Sequence, residues 1–247
     1  VLYNRINKCT NHKIHNSIGA RPCMIQNKDQ LLKKLDLIAH RYKKFRFKSC
    51  CTVDMEKAET EKHLRTEPGP EENLKWKSAP AGTSFGGPGI SVWFSGDVKI
   101  PAELKGQKIF ARASFDGPGI KTAAGEALLW VNSKCLGSFN PFHKRILITQ
   151  KAKPSQKIHI CMEVYSGHSY PGHISLDDNG AQIKKGAWVF KGLDLLTENQ
   201  QVSSFVYDLE TLLDLVNTMP KESLRRNRII KGLYKVFQVI PAMPWEV

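Results

Sequence analysis

Two histidines in a turn-rich segment have side chains that could bind a metal ion. His168 and His173 are five residues apart, and Asp177 and Asp178 follow them. Imidazole and carboxylate groups bind zinc in proteins, but a site needs several of them at ligand spacing. A spacing of five within a loop is a weak match, and such side chains commonly hydrogen-bond to their own loop backbone instead. We therefore expect no metal ion in this chain.

A larger set of side chains has the chemistry of a sugar-binding surface. Aromatic rings pack against the apolar faces of sugars, while amides, carboxylates and imidazoles bond to their hydroxyls. The aromatic candidates are Trp130, Tyr165 and Tyr170. The polar candidates are Asp116, Glu126, Asn132, Asn140, His143, His168 and His173. The alternatives are that Trp130 and Tyr165 pack in the core, and that the loop residues contact solvent or another domain.

No catalytic motif stands out among the other residues. The sequence has neither a GxSxG nucleophile elbow nor a GxxxxGK[ST] loop, and its Gly-rich segment 80–89 leads into a predicted strand. A Ser-His-Asp set could still form in space, which sequence does not reveal. Carboxylates for glycoside hydrolysis could come from Asp116, Glu126, Glu163 or Asp177, but nothing singles out a pair. The residues alone therefore predict a scaffold with polar loops.

Short segments of alternating apolar residues predict that this scaffold is an antiparallel β-sandwich. Successive side chains of a strand point to opposite faces, so apolar residues two apart line one buried face. Two such series are unbroken over four repeats: Ile109, Ala111, Ala113 and Phe115, and Ile158, Ile160, Met162 and Val164. Turn residues separate the strands, as in a sandwich. A further strand is predicted at Trp188, Phe190, Leu193 and Leu195.

Helical periodicity flanks the strands on both sides. Asn27 and Gln30 have the spacing of a helix N-cap, and an apolar stripe follows at Leu31, Leu35, Ile38 and Tyr42. From about Glu198 the apolar residues again recur with a helical period, which predicts a helical hairpin. We expect Pro220 in the first turn of its second helix. So much apolar surface with no closing element indicates a connector toward another domain.

The chain is thus predicted to have four parts. They are an irregular segment 1–26, a lead-in 27–75, the β-sandwich 76–197 and a helical connector 198–247. Within the lead-in, 45–53 is predicted as a strand and 54–65 as a short surface helix.

The net charge of +14 comes from 37 Lys and Arg against 23 Asp and Glu. Such an excess could attract nucleic acid through Lys33, Lys43, Lys44, Arg46 and Lys48. The interleaved aromatic side chains of a nucleic-acid platform are missing, so solvated helix faces or an acidic neighbouring domain are the preferred explanation.

Cysteine usage and hydropathy point to a compartment. The six cysteines have neither zinc-finger nor CxxC spacing, which favours reduced thiols and a cytoplasmic location. No apolar run reaches membrane-spanning length, so we expect no membrane partner.

Several ordered passages resemble the N-terminal region of glycoside hydrolase family 38 α-mannosidases, in the cytosolic and bacterial-type branch. The first is Gly-Pro-Gly-Ile-Ser-Val-Trp-Phe at 87–94, followed by 98–107 with its Ile-Pro-Ala-Glu. The second is Gly-Glu-Ala-Leu-Leu-Trp-Val-Asn at 125–132, where Ser133 replaces the Gly of the family. The resemblance extends over roughly 31–240, with further similar passages at 140–143, 165–168, 171–172 and 207–213.

The resemblance implies a mainly β fold, a jelly-roll-like and galactose-binding-like sandwich with a flanking N-terminal helix and a C-terminal helical hairpin. In that family the sandwich lies ahead of a catalytic domain, which holds zinc on a His-x-His-x-Asp motif and uses an Asp nucleophile. This sequence contains no His-x-His-x-Asp. No catalytic or zinc residue is therefore carried over to it.

The resemblance thus implies a non-catalytic accessory domain of a zinc-dependent α-mannosidase. Its expected partners are its own catalytic domain, other subunits of an oligomer and mannose-containing glycans. A free-standing carbohydrate-binding module is the first alternative, and a basic nucleic-acid-binding protein is the second.

Overall fold

The computed structural model describes residues 27–87, 89–117, 126–140, 142–165 and 185–241. Three α-helices, two short 3₁₀ helices and eleven strands are present in these residues. The helices are α1 (Lys28–Lys43), α2 (Gln200–Thr218) and α3 (Leu224–Val239). The strands are β1 (Phe47–Thr52), β2 (Glu56–Thr60), β3 (Lys77–Ser78), β4 (Thr83–Phe85), β5 (Ser91–Lys99), β6 (Ile109–Asp116), β7 (Ala127–Val131), β8 (Lys134–Phe139), β9 (Ile146–Thr149), β10 (Lys157–Tyr165) and β11 (Trp188–Glu198).

The strands form two antiparallel sheets. The five-stranded sheet has the order β1-β11-β6-β9, with β4 also paired to β11. The six-stranded sheet has the order β3-β2-β5-β10-β7-β8. Most neighbours in these sheets are distant in sequence, which is the mark of a sandwich rather than of a meander. The prediction of a mainly β, antiparallel jelly-roll sandwich with flanking helices is confirmed.

The core of the sandwich is built from the apolar series that alternate along the strands. Ile158, Ile160, Met162 and Val164 of β10 are all at most 1 % exposed. Phe94 of β5 and Phe190 of β11 meet in the same core, with ring centroids 4.6 Å apart. The period of two thus predicted the buried face of β10 correctly.

A bulge lets β11 keep one face in the core along its whole length. The register against β6 shifts between Phe190 and Gly192, where Gly192 has φ +121°. The extra residue restores the inward direction of Leu193 and Leu195, both fully buried. A positive φ of this kind is the conformation that glycine adopts without strain.

Two sequence predictions are wrong. Residues 54–65 do not form a short helix, because 56–60 pair as β2 with β5 and place Ala58 in a buried position. Pro220 does not lie in the first turn of a helix. Its carbonyl accepts a turn hydrogen bond from Ser223 N, and α3 then begins after Ser223, whose Oγ accepts from Arg226 N as the N-cap.

The sandwich also begins earlier than residue 76. Strands β1 and β2 lie within the predicted lead-in but belong to the two sheets. Strand β1 lies within the strand predicted at 45–53, but β2 was missed because Glu56, Lys57 and Glu59 are three of its five residues and resemble a charged surface helix. The strand accommodates Lys57 and Glu59 because their side chains pair at 2.9 Å, and Lys57 Nζ also donates to the carbonyl oxygen of Ser84 at 2.8 Å.

The chain divides into two compact units. Of the described residues, the larger unit holds 40–208 and the smaller holds 27–39 and 209–241. The predicted N-cap of α1 is confirmed, since Gln30 N donates to Asn27 Oδ1 at 2.9 Å. Within the smaller unit α1 contacts α3, with Lys28 Nζ 2.9 Å from Asn227 Oδ1 and Lys34 over the ring of Phe237. Helix α1 is therefore a partner of the C-terminal hairpin. None of the described helices is long and apolar enough to cross a membrane.

Candidate functional site

The predicted sugar-contact residues do not form one site. Asp116 ends β6 in the five-stranded sheet, where its carboxylate pairs with Lys191 at 2.9 Å. Glu126 precedes β7 of the six-stranded sheet, and Asn132 follows it. These two residues lie at opposite ends of a strand, roughly 20 Å apart at the usual rise per residue.

Trp130 is buried and packs against other aromatic side chains. It is 5 % exposed, and its ring centroid lies 5.2 Å from that of Trp93. Together with Cys161 these two residues form a small cluster on the outer face of the six-stranded sheet, covered by Leu64, Leu74 and Trp76. This position favours the packing alternative for Trp130. Tyr165 is 40 % exposed and lies edge-on to His63.

Asn140 and His143 bond mainly to each other and to their own turn. The side-chain oxygen of Asn140 accepts hydrogen bonds from the backbone N–H groups of Phe142 and His143, at 2.9 and 2.8 Å. The imidazole of His143 lies 3.2 Å from the same oxygen. This is an Asx turn, in which the side chain completes the local backbone. His168, Tyr170 and His173 lie outside the described residues.

An open cleft of about 450 Å³ lies at one end of strands β5 and β10. Its polar lining consists of Asp97, Lys99, Asn132, Lys157 and His159. The strand register explains the grouping, because Asp97 is opposite His159 and Lys99 is opposite Lys157. His159 Nδ1 lies 2.8 Å from Asp97 Oδ1, which orients the imidazole. The cleft thus offers ammonium, carboxylate, amide and imidazole groups to a hydroxyl-rich ligand.

Asn132 enters this cleft because of the tight hairpin between β7 and β8. Asn132 and Ser133 both have positive φ, +48° and +63°, as a two-residue type I′ turn requires. The turn brings Asn132 against β10, where its Oδ1 accepts from His159 N at 3.0 Å and its own N–H donates to His159 O at 3.0 Å. Of the predicted sugar-contact residues that the structure describes, Asn132 is the one that lines the cleft.

On the outer face of the same two strands, the side chains of a serine, a histidine and an aspartate lie in a row, each within hydrogen-bonding distance of the next. Ser95 Oγ lies 3.4 Å from His159 Nε2, while Nδ1 of that ring faces Asp97. This order matches the hydrogen bonding of a Ser-His-Asp triad. A hydrolase of that type also needs N–H donors for the oxyanion. Ser95 lies on an inner strand that is paired at both edges, opposite Cys161 and Glu56, so its backbone amide is committed to the sheet.

Two buried polar atoms without a hydrogen-bond partner lie in the region of the Trp93 cluster. They are Glu67 Oε1 and Trp93 Nε1. Burial raises the pKa of the nearby Cys161 thiol to about 12, and the charge of Glu67 raises it as well. Burial also raises the pKa of Glu163, although a hydrogen bond from Ser91 and the charge of His63 oppose the shift.

No group of three or more His, Cys, Asp or Glu side chains suited to a metal ion occurs in the described ranges.

Sequence reasoning missed the Asp97–His159 cleft because it depends on register. The alternation along β5 and β10 does place Ser95, Asp97 and His159 on outward faces. Which residue of one strand faces which residue of the other follows from pairing that a single sequence does not show. A signal was nevertheless present in Asn132-Ser133, two residues between apolar segments, which is typical of a hairpin turn.

Comparisons with known proteins give one family match and several distant structural similarities. No curated protein matches the chain in sequence. Among solved structures, a β-glucuronidase from Ruminococcus gnavus has a TM-score of 0.40 at 12 % identity, over 63 % of this chain and 29 % of that chain. A β-glucuronidase from Faecalibacterium prausnitzii has a TM-score of 0.38 at 14 % identity, over 63 % and 32 %. The chain thus spans about a third or less of the length of these structures.

A family model described as the jelly roll domain of alpha-mannosidase, of the Ams1-like type, matches residues 49–176. The match runs from within β1 past the end of β10, and so includes the two sheets except for β11. It also contains every predicted sugar-contact residue. Because the match extends over more than half of the sequence, the chain belongs to the Ams1-like alpha-mannosidase jelly-roll domain family.

Proposed function

We propose that this chain is the N-terminal accessory region of a zinc-dependent α-mannosidase of glycoside hydrolase family 38, in the cytosolic and bacterial-type branch. The family match over the sandwich carries this proposal. The zinc and the hydrolysis of terminal α-mannosides belong to a catalytic domain outside this sequence, since the sequence contains no His-x-His-x-Asp. The role of the accessory region is to pack on that domain, to support oligomer contacts and to shape substrate access in the cytoplasm.

The test compares the 247-residue chain with the longer natural polypeptide that would contain it. Both are assayed with 4-nitrophenyl α-mannoside at neutral pH, with added zinc and with a chelator. We expect zinc-dependent hydrolysis by the longer polypeptide and none by the 247-residue chain. Zinc-dependent turnover by the purified chain alone would overturn the accessory role.

A carbohydrate-binding module is the second candidate, and the cleft at Asp97 and His159 favours it. Its carboxylate, amide, imidazole and ammonium groups can bond to hydroxyls, and its volume of about 450 Å³ can hold a monosaccharide. Calorimetric titration with methyl α-mannoside tests this function. Saturable binding that Lys157→Met weakens, while His143→Ala does not, would support it. His168→Ala and Tyr170→Ala extend the test to the predicted residues outside the described ranges. A flat titration at millimolar sugar would exclude the module.

A further inference from the structure

Two arginines pack over one aromatic ring on the outer face of the five-stranded sheet, and a third arginine lies on the same face. The guanidinium carbon of Arg145 lies 4.2 Å from the ring centroid of Phe47, and that of Arg46 lies 5.6 Å from it. Phe110 contacts the same ring edge-on, with centroids 5.2 Å apart. Arg112 is two residues further along β6, so its side chain is on the same face as Phe110.

The sheet order brings these residues together from distant parts of the sequence. Arg46 precedes β1, Arg112 lies in β6 and Arg145 precedes β9, and these strands belong to one sheet. Beneath them Leu196 of β11 is 1 % exposed, although it is not part of the sandwich core. An apolar floor of Phe47, Phe110 and Leu196 therefore supports the arginine side chains. Such packing restricts the guanidinium groups and reduces the entropy lost when a ligand binds.

The positive charge of this cluster is only partly neutralised. Arg112 Nη2 pairs with Asp194 Oδ2 at 2.6 Å, and Lys108 lies 4.0 Å from Glu198. Neither Arg46 nor Arg145 forms an ion pair with a carboxylate of the described chain. Three guanidinium groups and one ammonium thus face two carboxylates. The cluster therefore keeps a net positive charge.

Most hydrogen-bond donors of the cluster also have no partner among the described residues. Arg46 Nε donates to Ser203 Oγ at 3.4 Å, which holds that side chain in place. Arg112 Nε is buried and has no partner in the described structure. Partial burial lowers the pKa of Arg145, and the charges of Arg46 and Arg112 lower it further, while the charge of Glu198 opposes the shift. Arg145 remains exposed, so a ligand from solvent can reach it.

We propose that Arg46, Arg112 and Arg145 form a binding site for an oxyanion of the phosphate class, either free or carried on a sugar. Guanidinium groups bond to phosphate oxygens through paired N–H donors, and a bound oxyanion relieves the repulsion among the three cations. The site lies on the outer face of the five-stranded sheet. It shares no residue with the Asp97–His159 cleft and does not depend on the proposed function.

The experiment is a calorimetric titration of the 247-residue chain in low-salt buffer with inorganic phosphate, mannose 6-phosphate and mannose. We expect saturable binding of phosphate, and a dissociation constant about tenfold weaker in Arg145→Gln, as loss of one charge-assisted contact implies. The matched control is Arg228→Gln, which removes an equal charge from an exposed position of α3 and should change the constant less than twofold. Arg145→Lys keeps the charge without the planar group and should be intermediate.

The outcomes separate the two sources of phosphate. Equal affinity for inorganic phosphate and mannose 6-phosphate assigns the site to the free anion, while tighter binding of the sugar phosphate with no binding of mannose assigns it to a sugar-borne group. Thermal melting of each variant confirms that it is folded. No saturable binding of either phosphate, or an equal effect of Arg145→Gln and Arg228→Gln, would overturn the proposal.

Discussion

Arg226 donates a hydrogen bond from its Nε to the carbonyl oxygen of Val216, at 3.0 Å. The arginine is 8 % exposed, and Val216 lies in the last turn of α2, where carbonyl groups lack helical partners. The side chain of one helix thus completes the end of the preceding one. Apolar periodicity predicted the helical hairpin, but it does not indicate this hydrogen bond from a buried arginine.

Replacing Arg226 with Met should therefore destabilise the smaller unit. The substitution keeps most of the apolar stem but leaves a buried carbonyl without a donor, at a cost of about 1–3 kcal/mol. Urea unfolding followed by circular dichroism at 222 nm measures the loss. Arg225→Met is the control, since Arg225 is exposed on the same helix turn. Equal urea unfolding midpoints for Arg226→Met and Arg225→Met would contradict this role of the hydrogen bond.

Ser133→Gly should stabilise the sandwich. Ser133 has φ +63°, a conformation that costs a residue with a Cβ about 1–2 kcal/mol, whereas glycine adopts it freely. Part of this gain is lost because glycine makes the unfolded chain more flexible, so we expect a net increase of about 0.5–1 kcal/mol. Ser138→Gly is the matched control, because Ser138 lies in β8 and its φ is not positive. The melting temperature should rise for Ser133→Gly and fall for Ser138→Gly. Changes of the same sign would count against the type I′ turn.

Glu163→Gln should make stability less dependent on pH. Burial raises the pKa of Glu163, so between the ordinary carboxyl pKa and this raised value the folded state holds a proton that the unfolded chain has released. Stability is then fully present at low pH and falls as the pH rises through the raised pKa. The melting temperature of Glu163→Gln relative to wild type should rise from pH 4 to pH 7. Glu103→Gln, at an exposed position, should show no such trend. A difference that stays constant with pH would refute the prediction.

The cysteines should differ sharply in reactivity. The thiolate is the nucleophile, and burial raises the pKa of Cys161 to about 12 and that of Cys51 to about 11. Cys135 is exposed, whereas Cys161 is 2 % exposed. Brief treatment with N-ethylmaleimide at pH 7.5, followed by peptide mass spectrometry, should label Cys135 and leave Cys161 intact until denaturant is added. Labelling of both at one rate would show that the cluster around Trp93 is open.

The parts of this fold that could be predicted from sequence are those that depend on local pattern. Alternation identified the buried faces of β6 and β10, and the spacing of Asn27 and Gln30 identified the start of α1. Strand β2 was missed because its charged residues resemble those of a surface helix. The contact of α1 with α3 was missed because it joins residues nearly two hundred positions apart, as in Lys28 and Asn227.

The functional surfaces were harder to predict for the same reason. The cleft at Asp97 and His159 and the cluster of Arg46, Arg112 and Arg145 each combine strands that are remote in sequence. Their residues are individually ordinary, and only the register of the sheets makes them neighbours. The chemistry of single residues predicted the sugar-contact candidates, and among those within the described ranges Asn132 is the one that lines the cleft.

The measurement that tests the central claim most directly is the mass of the native polypeptide that contains this sequence, taken from its source cells with an antibody raised against the 247-residue chain. The accessory role predicts a polypeptide several times the 27.9 kDa of this chain, with the catalytic domain in the same molecule. A native polypeptide of the same mass as this chain would contradict that role, and would mean that the jelly-roll domain acts alone.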